Sequence, residues 1–563
     1  MENRNCQNCK HDFVIEAEDF AFYEKIQVPP PTFCPECRRI RRLTWRNDFT
    51  LYSRMCDLCS NSFVSIYNPT SSHTIYCPKC FHSDKWNPSD YAMDYDPARS
   101  FIDQVLELYE KTPVLGIIND NDIASVNCLY GNDLAFSKNC AMVFIAWRLE
   151  NVYNSVSLAE GDNLSDALLI AEKSSYSYDL VYANNVSRCK SVFWCDSCVD
   201  CCFCFDCRGC QDCFMSSGLR NKRYCFQNQQ YSKDEYENIM NSYALHTRTG
   251  YARAKKEFKD FLKDKPRKFA ELRNCVDCTG SDSIRSKNVK DSMFASFSED
   301  SRYVHNGVSF KACYDCEVGG ETELAYECIT PDHSNKSLCT IESWKNSDIG
   351  YAIDCHSCQS VFGCISLKNG QYSILNKKYS KEEYNALKDI IIADMKKRGE
   401  YGEFFPSRKS PFGINETRAN NYLSLSKEEA IQNGYKWQDS TQHTTGMETL
   451  SHEQVPDSIE DIQESFTSEI LSCLECSRNY RILAGELTLH KQLRIPIPEK
   501  CFFCRNEERE KMRGGYLLFQ KQCDCVISSH DHHGQCQNIF KTVFDKNEKR
   551  PIYCESCYQK EMI

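Results

Sequence analysis

The chain has 563 residues, 41% of them apolar and 12% aromatic, with a formal net charge of −11. That length is too great for one core at about 100 to 200 residues per domain, and the apolar share excludes a disordered chain. The acidic balance excludes a protein that binds nucleic acid over its whole surface, because such proteins present a broad basic field.

Thirty-eight cysteines dominate the rest of the composition. Secreted disulfide scaffolds are short chains, whereas long intracellular chains use Cys-x2-Cys pairs to bind metal. The segment Met1-Glu-Asn-Arg-Asn-Cys6 enters the first such pair without an apolar leader, and no stretch nears the roughly 18 apolar residues of a membrane span. Reduced thiolates in a cytoplasmic protein, with no membrane contact, are expected.

In chain order, residues 1–83 carry four pairs: Cys6/Cys9, Cys34/Cys37, Cys56/Cys59 and Cys77/Cys80. Two residues between thiols let both sulfurs reach one ion, and two such knuckles supply the four tetrahedral ligands of structural zinc. Joining pair one with two and three with four gives a double zinc-ribbon module. Joining one with three and two with four gives a cross-brace; the spacing leaves both open, and the sequential pairing is the expectation. Directly after the second knuckle stand Arg38, Arg39, Arg41, Arg42, Trp45 and Arg46. Arginines beside an aromatic can grip phosphates and stack a base, which makes this stretch the candidate nucleic-acid contact. The competing reading is solvated arginines that brace a helix against the ribbon.

Residues 84–114 read as a linker and a helix, with Phe101, Ile102, Val105, Leu106, Leu108 and Tyr109 at helical spacing and Pro113 as the stop. Residues 115–230 and 275–378 contain brief apolar runs, such as Ala141-Met-Val-Phe-Ile145 and Arg302-Tyr-Val-His305, between Ser, Asn, Asp and Gly. Such runs suit strands with tight corners and predict two β-solenoid-like domains, although no fixed coil length is evident. A helical connector (231–274) follows the first domain, and a helix and loop region (379–437) the second. The domains are copies. Cys210-Gln-Asp-Cys-Phe214 through Tyr236 recurs as Cys358-Gln-Ser-Val-Phe362 through Tyr384 at a constant offset (358 − 210 = 148). Each copy closes on a capping box, Ser232…Glu235 or Ser380…Glu383, that opens a helix.

Within the first copy Cys195, Cys198, Cys201, Cys204, Cys207, Cys210 and Cys213 stand at every third residue. The second copy has Ser343, Asn346, Ile349, Ala352, Cys355, Cys358 and Val361 there. Ile, Ala and Val fill a core, so the row reads as inward-facing small side chains, with a metal-thiolate or iron–sulfur cluster as the alternative. Cys275/Cys278 with Cys313/Cys316 have the spacing of a fifth zinc site, but copy one places Leu168 opposite Cys316.

Past an acidic, polar linker (438–466), residues 467–563 repeat the N-terminal plan. Cys473/Cys476 and Cys501/Cys504 follow the first two pairs at one offset (473 − 6 = 467; 504 − 37 = 467). Phe13, Ile15 and Val28 fall on Tyr480, Ile482 and Ile495, so the apolar filling repeats with the ligands. Cys56 falls on Cys523. After a ten-residue insertion (557 − 80 = 477), Cys59, Cys77 and Cys80 fall on Cys536, Cys554 and Cys557. The insertion holds Cys525, His530, His532 and His533, so Cys525 is an alternate for Cys523 and a histidine an alternate for one thiolate. The expected fold class is multidomain and mainly β: terminal zinc-ribbon pairs flanking two duplicated β-solenoid-like domains, each capped by a helix, with about four zinc ions per chain.

Cys6-Gln-Asn-Cys9, Phe13, Phe20, Phe22-Tyr23, Pro31 and Cys34-Pro-Glu-Cys37-Arg38 resemble the small probable zinc-ribbon domain family. The whole chain, with Tyr553-Cys554-Glu-Ser-Cys557-Tyr558 near its end, resembles uncharacterised multi-ribbon, cysteine-rich proteins of uncultured bacteria. The resemblance implies zinc and no particular activity.

An enzyme needs an open metal position, a nucleophile with its base, or paired carboxylates in a cleft, and none stands out. The expected function is a non-enzymatic zinc-binding scaffold for macromolecular interaction, with a protein or ribonucleoprotein partner. The alternatives are DNA or RNA binding through Arg38 to Arg46 and thiol-based metal storage or redox chemistry.

Overall fold

The computed structural model describes residues 1–171, 177, 178, 190, 192–440 and 443–562. The chain is multidomain and rich in strands. It divides into two compact units, each made of two separated stretches: Met1–Ile117 with Ala270–Thr441, and Ile118–Phe269 with Gln442–Ile563. The N-terminal cysteine pairs thus share a unit with the later strand ladder, and the C-terminal pairs with the earlier one.

In the first unit the ladder opens with a parallel step of eleven residues, Leu272 facing Ser283, and from Gly280 on advances by a fixed twelve: Met293 faces His305, Tyr314 faces Tyr326, and Gln359 faces Gln371. This step is the coil length that the apolar runs did not reveal. Its cause is local. From Asp282 to Leu375 every third residue has a left-handed φ, and Asp282, Asn288, Asp291, Asp300 and Asn306 are of the types that tolerate it best. The residue after each corner turns inward, so Ser283, Ser286, Val289, Ser292, Ala295 and Ser298 are all buried. An inward serine satisfies two backbone groups at once. Ser286 Oγ donates to the Ile284 carbonyl at 3.1 Å and accepts from Ser298 N, twelve residues on, at 3.2 Å.

The helix Phe101–Lys111 packs its apolar face on this ladder. Ser100 caps it by accepting from Asp103 N, and it ends at Thr112, before Pro113. Phe101 stacks on Phe362 with ring centroids 5.0 Å apart. Gly363, at φ +65°, makes room for it, since a Cβ there would lie 2.5 Å from Phe101 Cζ.

Buried Asp354 accepts from Leu115 N at 3.3 Å, yet burial lifts its carboxyl from 3.8 to about 7 against that bond and the charge of Lys368. A raised carboxyl pKa means that the folded state holds the proton more tightly than the unfolded chain. Its stabilising effect is complete below about 3.8 and is lost as pH rises through about 7. Asp354→Asn is therefore expected to gain thermal stability over wild type progressively across that window and to hold the gain above it. Thermal melts at a series of pH values check this, and parallel curves contradict it.

The second unit repeats the scheme. Val126 faces Lys138, Leu168 faces Val156 and Cys202 faces Phe214, each twelve residues on. One step, Leu164 to Ser177, takes thirteen. Ahead of it the corner Asp166 corresponds to the corner Asp315 (315 − 166 = 149), so Cys316 matches inward Ala167 and not Leu168. Both capping boxes form, Ser232 with Glu235 opening helix Lys233–Tyr243, and Ser380 with Glu383 opening helix Lys381–Arg398. Among the described residues no helix is long and apolar enough to cross a membrane.

Candidate metal centres

Among the described residues, four groups of four thiols assemble by the same local recipe. In the first, a hairpin pairs Glu2–Asn5 with Asp12–Ile15 and holds Cys6 and Cys9 in its turn. Cys34 then caps helix Pro35–Leu43, its thiol accepting from Cys37 N, and its own N–H reaches Cys6 Sγ at 3.2 Å. In the second, the hairpin of Tyr52–Met55 and Ser62–Ser65 presents Cys56 and Cys59 to Cys77 and Cys80 around helix Pro78–Phe81. Leu471–Ser472 with Asn479–Tyr480 and helix Phe502–Arg513 build the third, from Cys473, Cys476, Cys501 and Cys504. Phe519–Gln522 with Ile539–Thr542 and helix Glu555–Gln559 build the fourth, from Cys523, Cys536, Cys554 and Cys557.

In every group the four sulfurs lie within 4.8 Å of one another. The pairs therefore close sequentially, one with two and three with four, and not as a cross-brace. Tetrahedral zinc with bonds of about 2.3 Å separates its sulfurs by about 3.8 Å. The spacings fit: Cys9 to Cys34 is 3.8 Å, Cys59 to Cys77 4.0 Å, Cys476 to Cys501 3.7 Å and Cys536 to Cys554 3.9 Å. The backbone favours a thiolate at the first cysteine of the second and third groups, while burial pushes up partners such as Cys80 and Cys501. Burial opposes ionisation of Cys56, but the backbone N–H groups of Cys77, Cys59 and Leu58 outweigh it and bring the thiol down to about 7. The same balance, with donors from Cys501, Cys476 and Glu475, sets Cys473 at about 7. Cys525 stands outside the fourth tetrad, in a second group with His530, His532 and Cys557.

The thiol row has a different character. Cys195, Cys198, Cys201, Cys204, Cys207, Cys210 and Cys213 are all buried, each following a left-handed corner or its near neighbour in the twelve-residue step. Their thiols do what serines do in the other ladder: Cys195 Sγ donates to the Phe193 carbonyl at 3.5 Å and accepts from Cys207 N at 3.4 Å. Cys201→Ser with Cys204→Ser is expected to leave metal content unchanged and the melting temperature nearly so. Loss of a metal ion, or of a visible absorbance band, in that variant is the contrary result.

Cys275 and Cys278 do not join Cys313 and Cys316. Val276 is bridged to Lys287, Lys287 to Glu299 and Glu299 to Lys311, so the two pairs lie three strand spacings apart, about 14 Å. One ion cannot span them.

The arginine stretch is the largest departure from expectation. Arg38, Arg39, Arg41, Arg42, Trp45 and Arg46 are all buried, and Arg42 is 0% exposed. Arg38 and Arg42 grip Asp315 at 2.8 and 3.1 Å, Arg41 and Arg42 grip Glu327 at 2.8 and 2.7 Å, and Arg39 meets Glu317 at 2.9 Å. Arg46 pairs with Asp48, and Trp45 packs against Phe405 and Tyr109. These guanidinium groups face carboxylates of the ladder and cannot reach a phosphate, which corrects both the nucleic-acid contact and the solvated alternative. The C-terminal copy does the same. Arg505 and Arg509, at the 467-residue offset from Arg38 and Arg42, bond to buried Asp166, Arg509 at 2.8 Å. There the charge-mixed stretch hides the arginine pair that joins helix Phe502–Arg513 to its ladder, as Arg38 and Arg42 join helix Pro35–Leu43.

No protein-family model matches the chain and a comparison with curated proteins finds no match, so the likeness to zinc-ribbon domains rests on the cysteine geometry alone.

Proposed function

We propose that the protein is a non-enzymatic, cytoplasmic zinc scaffold: two rigid β-solenoids, each carrying a double zinc-ribbon module, that present surfaces to a macromolecular partner. The observation that carries this reading is the four tetrathiol groups. Each already supplies the full tetrahedral complement of zinc, leaving no coordination position for water or substrate. A scaffold also needs a face for its partner. Ile123, Val126, Leu129, Tyr130 and Phe136, on the opening rungs of the earlier ladder, are apolar and about half exposed or more. The experiment is crosslinking mass spectrometry of the full chain in its native lysate, beside Val126→Asp with Phe136→Asp. A protein crosslinked through residues 123–136 in wild type and lost in a variant of unchanged zinc content supports the reading; identical crosslinks refute this face.

A second reading, contact with a single-stranded nucleic acid, has one observation in its favour. In the second unit a cavity of about 220 Å³ is walled by Trp194, Phe203, Phe205 and Phe258 and edged by Lys255 and Lys259. Aromatic faces with cations suit a stacked base and its phosphate. Low-salt binding of oligouridylate that weakens in Lys255→Ala with Lys259→Ala supports it, and no binding at low salt removes it.

A further inference from the structure

We infer that the fourth cysteine cluster holds two metal ions that share Cys557. Resting on the zinc reading above, it adds a fifth ion at a site of different chemistry. Cys525 Sγ, His530 Nδ1 or Nε2, a ring nitrogen of His532 and Cys557 Sγ lie within 4.8 Å of one another, and Cys557 also belongs to the tetrad with Cys523, Cys536 and Cys554. The nearest contacts are Cys525 Sγ to His530 Nδ1 at 3.2 Å and Cys557 Sγ to His532 Nε2 at 3.5 Å. Around zinc, with bonds of about 2.3 Å to sulfur and about 2.0 Å to nitrogen, a sulfur–nitrogen edge is about 3.5 Å.

The far nitrogens of both rings supply the independent observation. His530 Nε2 meets the Glu561 carboxylate at 3.1 Å, and His532 Nδ1 meets the Gly534 carbonyl at 2.9 Å. Metal-bound histidines are held in this way, the outer N–H on a carboxylate or carbonyl and the inner nitrogen free to donate its lone pair. Two histidines two residues apart use opposite nitrogens to reach the same point, an arrangement that simple packing does not require.

The insertion is folded to deliver these groups. Cys525 and His530 are buried, Ser528–His530 forms one turn of 3-10 helix, and Asp531, at φ +63°, reverses the chain. Cys536 N donates to the Cys525 carbonyl at 2.9 Å and closes the loop. Charge also favours the pair of ions. Five thiolates and two neutral imidazoles around two divalent ions leave −1 (4 − 5), against −2 (2 − 4) for a lone tetrathiolate site. Two thiolates with two imidazoles suit zinc, and cobalt is its spectroscopic stand-in.

The test is zinc content of the reduced full chain together with cobalt substitution. Five ions per wild-type chain, falling to four in His530→Ala with His532→Ala, is the expected result. The cobalt difference spectrum between the two then shows thiolate charge transfer and tetrahedral ligand-field bands. Glu561→Gln touches only the outer nitrogen of His530, and it is expected to weaken the fifth ion about 10- to 100-fold in chelator competition while four stay bound. Four ions in wild type and four in the histidine variant overturn the shared site and leave the tetrathiol sites standing. So does a fifth ion whose difference spectrum lacks thiolate charge transfer. Fewer than three ions in wild type instead defeats the zinc reading itself.

Discussion

Cys501→Ser is expected to cost one zinc ion and to release helix Phe502–Arg513 from its hairpin. Cys501 is both a member of the third tetrad and the N-cap of that helix. Zinc binding contributes about 10 to 16 kcal/mol in peptides that fold on the metal, as much as the whole stability of an ordinary domain. Its hairpin is short, two residues per strand, Leu471–Ser472 with Asn479–Tyr480, so the thiols are what join the hairpin to a helix otherwise held by Arg505, Arg509 and Phe502. Limited proteolysis with elemental analysis reads the effect, as new cleavage between residues 473 and 513 and one equivalent less zinc. Cys34→Ser is expected to do the same to helix Pro35–Leu43. If either variant keeps its zinc stoichiometry and its protease resistance, the tetrad concerned is not a metal site.

Arg42→Met carries the second large effect. Its guanidinium bridges Asp315 and Glu327, each fully buried at the side chain, and methionine leaves both carboxylates short of a partner. Removing one member of a buried ion network costs about 3 to 5 kcal/mol, because the remaining charge keeps its desolvation penalty. The lower end of that range is expected here, since Arg38 still reaches Asp315 and Arg41 still reaches Glu327. Urea denaturation measures the loss. Adding Asp315→Asn and Glu327→Gln to Arg42→Met is expected to deepen the loss, because Arg38 and Arg41 then lose those carboxylates while staying buried. Arg509→Met, which leaves Asp166 to Arg505 alone, is the matching variant in the second unit. An Arg42→Met protein as stable as wild type means that the ion network contributes nothing.

The burial of these arginines could not be read from the sequence. Arg38, Arg41 and Arg42 find their partners at Asp315 and Glu327, more than 270 residues away, and nothing near them in the chain announces it. The tetrads were legible because a Cys-x2-Cys knuckle is a local object. Both of its sulfurs leave one turn, and the 467-residue repeat supplied the match between ends. The capping boxes were legible for the same reason. The ladders were only half legible. Their period of three is carried by left-handed corners that accept Asp and Asn but also Phe294, Tyr303 and Leu324, and by inward positions that take Ser, Cys, Val and Ala alike. Neither a two-residue nor a 3.6-residue apolar pattern detects such a chain. The cysteines at every third residue from 195 to 213 were that period in plain view, since a thiol there replaces the inward serine. The thirteen-residue step at Leu164 to Ser177 then shifted the copies by one, which set Leu168 against Cys316.

Elemental analysis of the full chain, purified reduced and without added metal, tests the central claim most directly. A zinc scaffold with a closed tetrad at each of the four cysteine groups gives at least four zinc ions per chain, with iron near background. Fewer than three zinc ions per chain, or iron as the main metal, contradicts it.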